Sequence, residues 1–243
     1  MKELGLKWFR KITNIINYRV MKMIFLSIAT LLSVLIFASC QKREIEPTPL
    51  ASIQITNAVV NGKELQFGSN PVTIPNNDHV SFGVLTGSHT LKLVVKEEPN
   101  VMYYNQTKEF VNGGIYSLFL TGTSGRIESV FLKDDSIPSH KENVFGARMI
   151  NLVPGSVSIS VNLQGSAPGS FIGNLPYKSI STFKEVSSLD SEGDKVFEFR
   201  NAATGDFISA FVIPGYDLPR FRNITIVFAG TVGEEKIFRN NNF

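Results

Sequence analysis

Residues 157–163, Val-Ser-Ile-Ser-Val-Asn-Leu, carry apolar side chains at every second position. On an extended strand Val157, Ile159, Val161 and Leu163 would point to one side, and the Ser and Asn residues between them to the other. The same period recurs in Ile53/Ile55, in Leu91/Leu93/Val95 around Lys92, and in Phe197/Phe199 around Glu198. From residue 51 onward no stretch of ten residues has the 3.6-residue spacing of an amphipathic helix. The sequence therefore predicts an all-β fold whose strands each bury one face.

Turn signals separate these short strands, for example at Asn61-Gly62, Pro154-Gly155 and Pro214-Gly215. A parallel α/β sheet would need crossover helices that this sequence does not supply. Closely spaced short strands with polar turns are typical of antiparallel β-sandwiches.

An internal repeat indicates that there are two such units. Tyr116–Thr123 (YSLFLTGT) aligns with Ile224–Thr231 (ITIVFAGT), and Ile53–Val59 (IQITNAV) aligns with Ala147–Val153 (ARMINLV). With a slip of one residue, Val130-Phe131 then aligns with Ile237-Phe238. Two copies of about 95 residues match the size of Ig-like domains.

We therefore expect two tandem antiparallel Ig-like β-sandwich domains, at 51–132 and 145–243. The segment 133–144 is polar and contains Pro138, so it reads as the linker between them.

The start of the chain has the layout of a signal peptide over residues 1–39. Six basic residues and one acidic residue accompany an apolar run of 17, Met23–Ser39, which ends in small residues. A stable spanning helix needs about 20 apolar residues, so cleavage is favoured over permanent anchoring. Because Met21 opens a compact leader, residues 1–20 read as an over-long start.

Phe37-Ala38-Ser39-Cys40 resembles a bacterial lipobox, which implies that Cys40 is lipidated and begins the mature chain. Residues 40–50, with Pro47 and Pro49, would then form an extended tether to the membrane. The charges just after Cys40 resemble signals that send lipoproteins to the cell surface, so we expect an outer-membrane or surface location, with a periplasm-facing one as the alternative. The other interpretation is an uncleaved apolar helix with an incidental cysteine.

Removing the leader changes the charge balance. Residues 40–243 hold 18 basic and 20 acidic residues, so the basic excess of the whole chain belongs to the leader. Nucleic-acid binding requires clustered Lys and Arg on the folded domain, and it is not expected here.

Four blocks resemble a family of Bacteroidota-type lipoproteins made of paired Ig-like domains of unknown function. They are Ala147–Leu152 (ARMINL), Asn174–Val186 (NLPYKSISTFKEV), Gly114–Gly122 (GIYSLFLTG) and Phe131–Asp135 (FLKDD). The resemblance spans residues 51–243 and implies an exported, lipid-anchored sandwich pair. It contributes no catalytic residues.

Catalytic and metal-binding patterns are missing from the sequence. The chain has neither a G-x-S-x-G nucleophile turn nor a phosphate-binding loop, and its single cysteine cannot build a Cys-based zinc site. His79 and His89 could meet on adjacent strands, but they read as strand-end histidines, and Asp134-Asp135 reads as a solvated turn. We expect no enzyme activity, no metal and no cofactor.

Ligand contacts, if aromatic, would come from tyrosines, because the only tryptophan, Trp8, lies in the leader. The candidates are Tyr103, Tyr104, Tyr177 and Tyr216, with a place in the core as the alternative. Asp135-Ser136-Ile137 resembles a short acceptor for O-linked glycan, which makes Ser136 a candidate glycosylation site.

The sequence thus favours a non-enzymatic, lipid-anchored surface binding or adhesion module, accessory to uptake or attachment, with a glycan or protein ligand. The alternative is a pilus or fimbrial-type subunit that assembles by strand addition, with its open edge at Glu235–Phe238 and the Asn-rich tail. A hydrolase is the third possibility.

Overall fold

The computed structural model describes residues 20–23, 26–27 and 48–242, and the chain divides into two units between Pro47 and Thr48. In the first unit the described residues are helical, and the Ser27 hydroxyl donates to the Met23 carbonyl at 2.7 Å. Within the described ranges, no helix has the length and apolarity needed to cross a membrane. Cys40 and residues 41–47 of the predicted tether lie outside the described residues.

The second unit begins with a sandwich built from eight strands, here called sandwich 1. They are β1 (Leu50–Asn57), β2 (Leu65–Phe67), β3 (Thr73–Ile74), β4 (Asp78–Leu85), β5 (Gly87–Val95), β6 (Glu98–Phe110), β7 (Ile115–Thr123) and β8 (Arg126–Lys133). One sheet has the order β4-β1-β7-β8 and is called inner sheet 1; the other, outer sheet 1, has the order β3-β2-β5-β6.

Eight further strands and two short 3₁₀ turns, Asp190–Glu192 and Gly215–Asp217, make up sandwich 2. The strands are β9 (Val144–Asn151), β10 (Ile159–Leu163), β11 (Ile172–Leu175), β12 (Lys184–Ser187), β13 (Lys195–Asn201), β14 (Phe207–Ile213), β15 (Asn223–Thr231) and β16 (Glu234–Asn241). Inner sheet 2 has the order β12-β9-β15-β16, and outer sheet 2 has the order β11-β10-β13-β14.

The two sandwiches share one topology, strand for strand, which confirms the predicted all-β pair of sandwiches. Each also contains one parallel pair, β1 with β7 and β9 with β15. The chain returns to the inner sheet twice after its first strand: first as β4 or β12, which pairs antiparallel with that strand, and then, after two more outer strands, as β7 or β15, which runs parallel to it on the other side. Local alternation of apolar residues does not reveal such long-range pairing.

Each sandwich has its own core between its inner and outer sheets. Ile53, Ile55 and Leu93 are fully buried in the first, and Phe197 and Phe199 are fully buried in the second. The predicted inward positions of these strands are therefore correct. Val157 is an exception: it precedes β10 and is half exposed, because the strand begins only at Ile159.

The inner sheets of the two sandwiches pack against each other, which the sequence did not predict. A third apolar cluster contains Phe119 from sandwich 1 together with Ile150 and Val227 from sandwich 2. Gln54 and Thr56 alternate with Ile53 and Ile55, so they lie on the face that a strand with one buried face would leave open, yet they are buried as well. The central inner strands, β1, β7, β9 and β15, are thus covered on both faces. The unit from Thr48 onward contains all of the sheets and apolar clusters that the structure describes.

The repeat extends through the last hairpin without the predicted slip. Tyr116 pairs with Lys133, and its counterpart Ile224 pairs with Asn241, so Val130 corresponds to Phe238 rather than to Ile237. Both hairpins also contain the same positive-φ glycine, Gly122 at 86° and Gly230 at 92°.

Candidate binding cleft at the junction of the two sandwiches

A buried ion pair joins the two sandwiches. The Arg148 side chain on β9 is 5% exposed and the Asp134 side chain after β8 is 2% exposed, and they are paired through both guanidinium NH₂ groups and both carboxylate oxygens. Arg148 Nε also donates to Thr225 Oγ1 at 2.8 Å. Burying a charge is costly unless it is paired and hydrogen-bonded, so this geometry fixes Asp134 against β9.

Sequence reasoning missed this pair. Asp134 was predicted to lie in a solvated turn, and this is wrong because sandwich 2 covers it. The available signal was Arg148 itself, which interrupts an otherwise uncharged strand, Val144–Asn151, where an unpaired charge could not be buried.

A neutral pair occupies the equivalent place across the interface. Gln54 aligns with Arg148 in the repeat, and Asn242 is the counterpart of Asp134. Gln54 Nε2 donates to the Asn241 carbonyl at 2.8 Å, and Asn242 Nδ2 lies 3.4 Å from Gln54 Oε1. The contact between the copies is therefore isologous in position, as in a two-fold dimer, but its chemistry differs at the two ends.

A hydroxyl group donates a hydrogen bond to the Asp or Asn side chain at each end of the interface. Ser117 Oγ donates to Asp134 Oδ2 at 2.6 Å, and Thr225 Oγ1, its counterpart, donates to Asn242 Oδ1 at 2.7 Å. Between these ends, Asn240 Nδ2 donates to Thr56 Oγ1 at 2.6 Å. The interface is thus a buried hydrogen-bonded layer around the shared apolar cluster.

The segment between the sandwiches is held at both of its ends. Beyond Asp134, the buried His140 ring contacts Asn223 Oδ1 at 2.9 Å and Glu185 Oε1 at 3.1 Å. Asn223 Nδ2 in turn donates to the Pro138 carbonyl at 2.8 Å. The polar composition that predicted a linker therefore belongs to a segment packed onto inner sheet 2.

Beside the ion pair the structure forms a cleft of about 310 Å³. One wall comes from the end of β8 and the residues after it, and the other from residues 180–183. The guanidinium carbon of Arg148 lies 4.6 Å from the centre of the Phe183 ring, within the range of a cation–π contact.

The rest of the lining is mixed in character. Leu132 and Ile180 are apolar, whereas Ser136 and Thr182 are exposed hydroxyl residues. Lys133 and Asp135 form an ion pair of 2.6 Å at the rim, and the hydrogen bond that Lys133 donates to the Asp135 carboxylate raises the pKa of Lys133. The cleft thus offers an aromatic ring, hydroxyl groups and charges to a ligand.

The predicted tyrosines do not gather at one site. Tyr103 and Tyr104, 6% and 5% exposed, belong to the core of sandwich 1, so their proposed role as surface contacts is wrong and the core alternative holds. Burial raises the pKa of Tyr104 to about 12. Tyr177 is half-buried with its hydroxyl 3.5 Å from Thr121 Oγ1, and Tyr216 is 93% exposed on the second 3₁₀ turn.

The histidines do not form the pair that the sequence allowed. His79 is on β4 of inner sheet 1, whereas His89 is on β5 of outer sheet 1, so they are not on adjacent strands of one sheet. In the part of the chain that the structure describes, no group of three His, Cys, Asp or Glu residues could hold a metal ion.

The terminal strand β16, where the sequence predicted an open edge, is the edge strand of inner sheet 2. Strand β16 pairs with β15 along eight residues, from Glu234 to Asn241, and Asn242 continues into the interface. The Asn-rich tail therefore completes the contact between the sandwiches.

Comparison with protein-family models and with curated proteins gives no match. Among solved structures, the C-terminal domain of AlgF from P. aeruginosa is similar at 17% identity, over 36% of this chain and 99% of that domain, with a TM-score of 0.29. A likeness of this level carries no argument about function.

Proposed function

We propose that this protein is a non-enzymatic, lipid-anchored binding module of the cell surface, and that its ligand is a glycan held in the junction cleft. The observation that carries the proposal is the cleft itself. Its two walls come from different sandwiches, and the Arg148–Asp134 pair holds them in a fixed relation.

The lining suits a ligand with hydroxyl groups and a flat apolar face. Phe183 supplies an aromatic ring whose position is fixed by Arg148, and Ser136 and Thr182 supply exposed hydroxyls. Aromatic rings combined with a few polar groups are typical of small-ligand sites. If Ser136 carries a glycan, as its sequence context suggests, that glycan would lie at the mouth of the cleft.

The binding test uses residues 48–243 against an array of glycans, with a panel of matrix and host proteins alongside. We expect a glycan to bind, Phe183→Ala and Thr182→Ala to weaken binding, and Tyr216→Ala to leave it unchanged. Tyr216 is the matched control because it is the most exposed of the predicted contact tyrosines. Binding of proteins alone, or glycan binding lost only with Tyr216→Ala, would contradict the proposal.

The anchor is tested separately in the full chain. We expect the protein to fractionate with membranes, and the Cys40→Ser variant to be released or retained as an unprocessed precursor. Mass spectrometry of the mature protein should find acyl chains on Cys40, since stable anchoring takes two or more chains. An intact leader with an unmodified cysteine would contradict lipidation.

A further inference from the structure

Strand β14 forms an unprotected edge of outer sheet 2. It pairs with β13 on one side, with a single shift of register between Phe199 and Arg200, and no strand of the described chain is hydrogen-bonded to its other side. Its sequence, Phe207–Ile213 (FISAFVI), contains no charge and no proline. Phe207 and Val212 are 56% and 47% exposed, and Ala210 is exposed with them.

The equivalent edge in sandwich 1 is protected. Strand β6 occupies the same place in outer sheet 1, but it carries Glu98, Pro99, Lys108 and Glu109, and its pairing with β5 shifts register twice. Charges, proline and bulges are the devices by which proteins prevent pairing at sheet edges. Since the two copies share a topology, the difference between the two edges lies in their side chains and in the regularity of their pairing, which shifts register twice at β6 and once at β14.

The unpaired backbone of β14 can accept an extended strand as its partner, and its uncharged side chains favour an uncharged strand. β14 of a second copy meets both conditions. We propose that two copies associate through antiparallel pairing of their β14 strands, which joins the two outer sheets into one.

One register is favoured by the sizes of the side chains. Phe197 and Phe211 pair on the core side of the sheet, so Ala210 and Val212 face outward. With Phe211 opposite its own counterpart, the small Ala210 of each copy lies opposite the larger Val212 of the other. The half-buried Phe211 rings would then cover each other across the two-fold axis.

This inference does not depend on the proposed function. None of the residues that line the junction cleft lies on β14, so the proposed pairing uses no residue of the cleft.

Sedimentation of residues 48–243 over a range of concentrations tests the association. That unit holds every described core and lacks Cys40, the only cysteine. We expect a concentration-dependent dimer that Val212→Lys abolishes, whereas Met102→Lys, at a half-exposed position on the protected β6, leaves it intact. Circular dichroism and thermal melting of both variants establish that they are folded.

Cross-linking tests the register. Mixed Ala210→Cys and Val212→Cys proteins should form a disulfide on mild oxidation, whereas neither variant should do so alone. A monomer at all concentrations, a dimer insensitive to Val212→Lys, or cross-linking of a single variant with itself would overturn the proposal.

Discussion

The two ends of the interface between the sandwiches are equivalent in position but differ in charge. At one end of their interface Arg148 faces Asp134, and at the related end Gln54 faces Asn242. Both pairs are buried, both are braced by a hydroxyl from the neighbouring strand, and only one is charged. The comparison shows that both ends of the interface contain a pair of hydrogen-bonded polar side chains. Only the Arg148–Asp134 end buries charges as well.

The largest expected effect comes from removing one partner of the charged pair. Asp134→Ala leaves the Arg148 guanidinium buried without its counter-ion, and this should lower the free energy of unfolding by about 3–5 kcal/mol. Asn242→Ala removes only neutral hydrogen bonds and should cost about 1–2 kcal/mol. Urea unfolding of both variants of residues 48–243 measures the difference, and equal losses would show that charge is unimportant at this interface.

Next in size are two substitutions at equivalent glycines. A Cβ at Gly122 would lie 2.2 Å from the Arg126 carbonyl oxygen, and one at Gly230 would lie 2.5 Å from the Glu234 carbonyl oxygen. Both residues also have positive φ. Gly122→Ala and Gly230→Ala should therefore each lower the free energy of unfolding by at least about 1–3 kcal/mol.

Gly125→Ala is the control for this pair, because no atom lies within 4 Å of its Cβ position, and it should be nearly neutral. Thermal melting of the three variants measures these differences in stability. If only one of the two hairpin glycines proves sensitive, the hairpins are not equivalent in energy despite their common register.

The alternation of apolar residues was enough to predict the fold class, since Ile53, Ile55, Phe197 and Phe199 all point into their cores. The packing of one sandwich on the other was not predictable in this way. Gln54 reads as a solvent-facing residue because period-two analysis assigns one face to water, and only the partner sheet shows that this face is buried.

The candidate cleft could not be predicted from the sequence either, because it depends on how one sandwich packs on the other. Its walls, around Asp135 and Thr182, are distant in the chain and meet only when the two copies pack. Ser136, singled out for its sequence context, does lie on the cleft, but nothing in the sequence placed it opposite Phe183.

A smaller effect is expected when the charged pair is converted into its neutral counterpart. The double variant Arg148→Gln/Asp134→Asn reproduces the chemistry of Gln54 and Asn242 and leaves no buried charge. Exchange of a buried ion pair for neutral groups is often close to neutral, so the free energy of unfolding should stay within about 2 kcal/mol of the parent. Urea unfolding should show strong coupling between the two single variants, and additive losses would mean that the two side chains act independently.

The smallest expected effect is the acid dependence of sandwich 1. Burial lowers the pKa of His79, although the Asp78 carboxylate at 3.4 Å acts in the opposite direction. The unfolded chain, with an ordinary histidine pKa of about 6.5, therefore binds a proton before the folded chain does. Stability should fall as the pH drops below that value and level off below the folded pKa.

The strand equivalent to β4 in sandwich 2 is β12, Lys184–Ser187, which has no histidine, so this contribution has no counterpart there. Two variants isolate it in urea unfolding between pH 7.5 and pH 5, a range set by the ordinary histidine pKa of about 6.5. His79→Gln should flatten the profile, since the group that takes up the proton is gone. Asp78→Asn should deepen the loss, since removing the carboxylate leaves burial unopposed and lowers the folded pKa further. An unchanged slope in both variants would place the acid sensitivity at other groups.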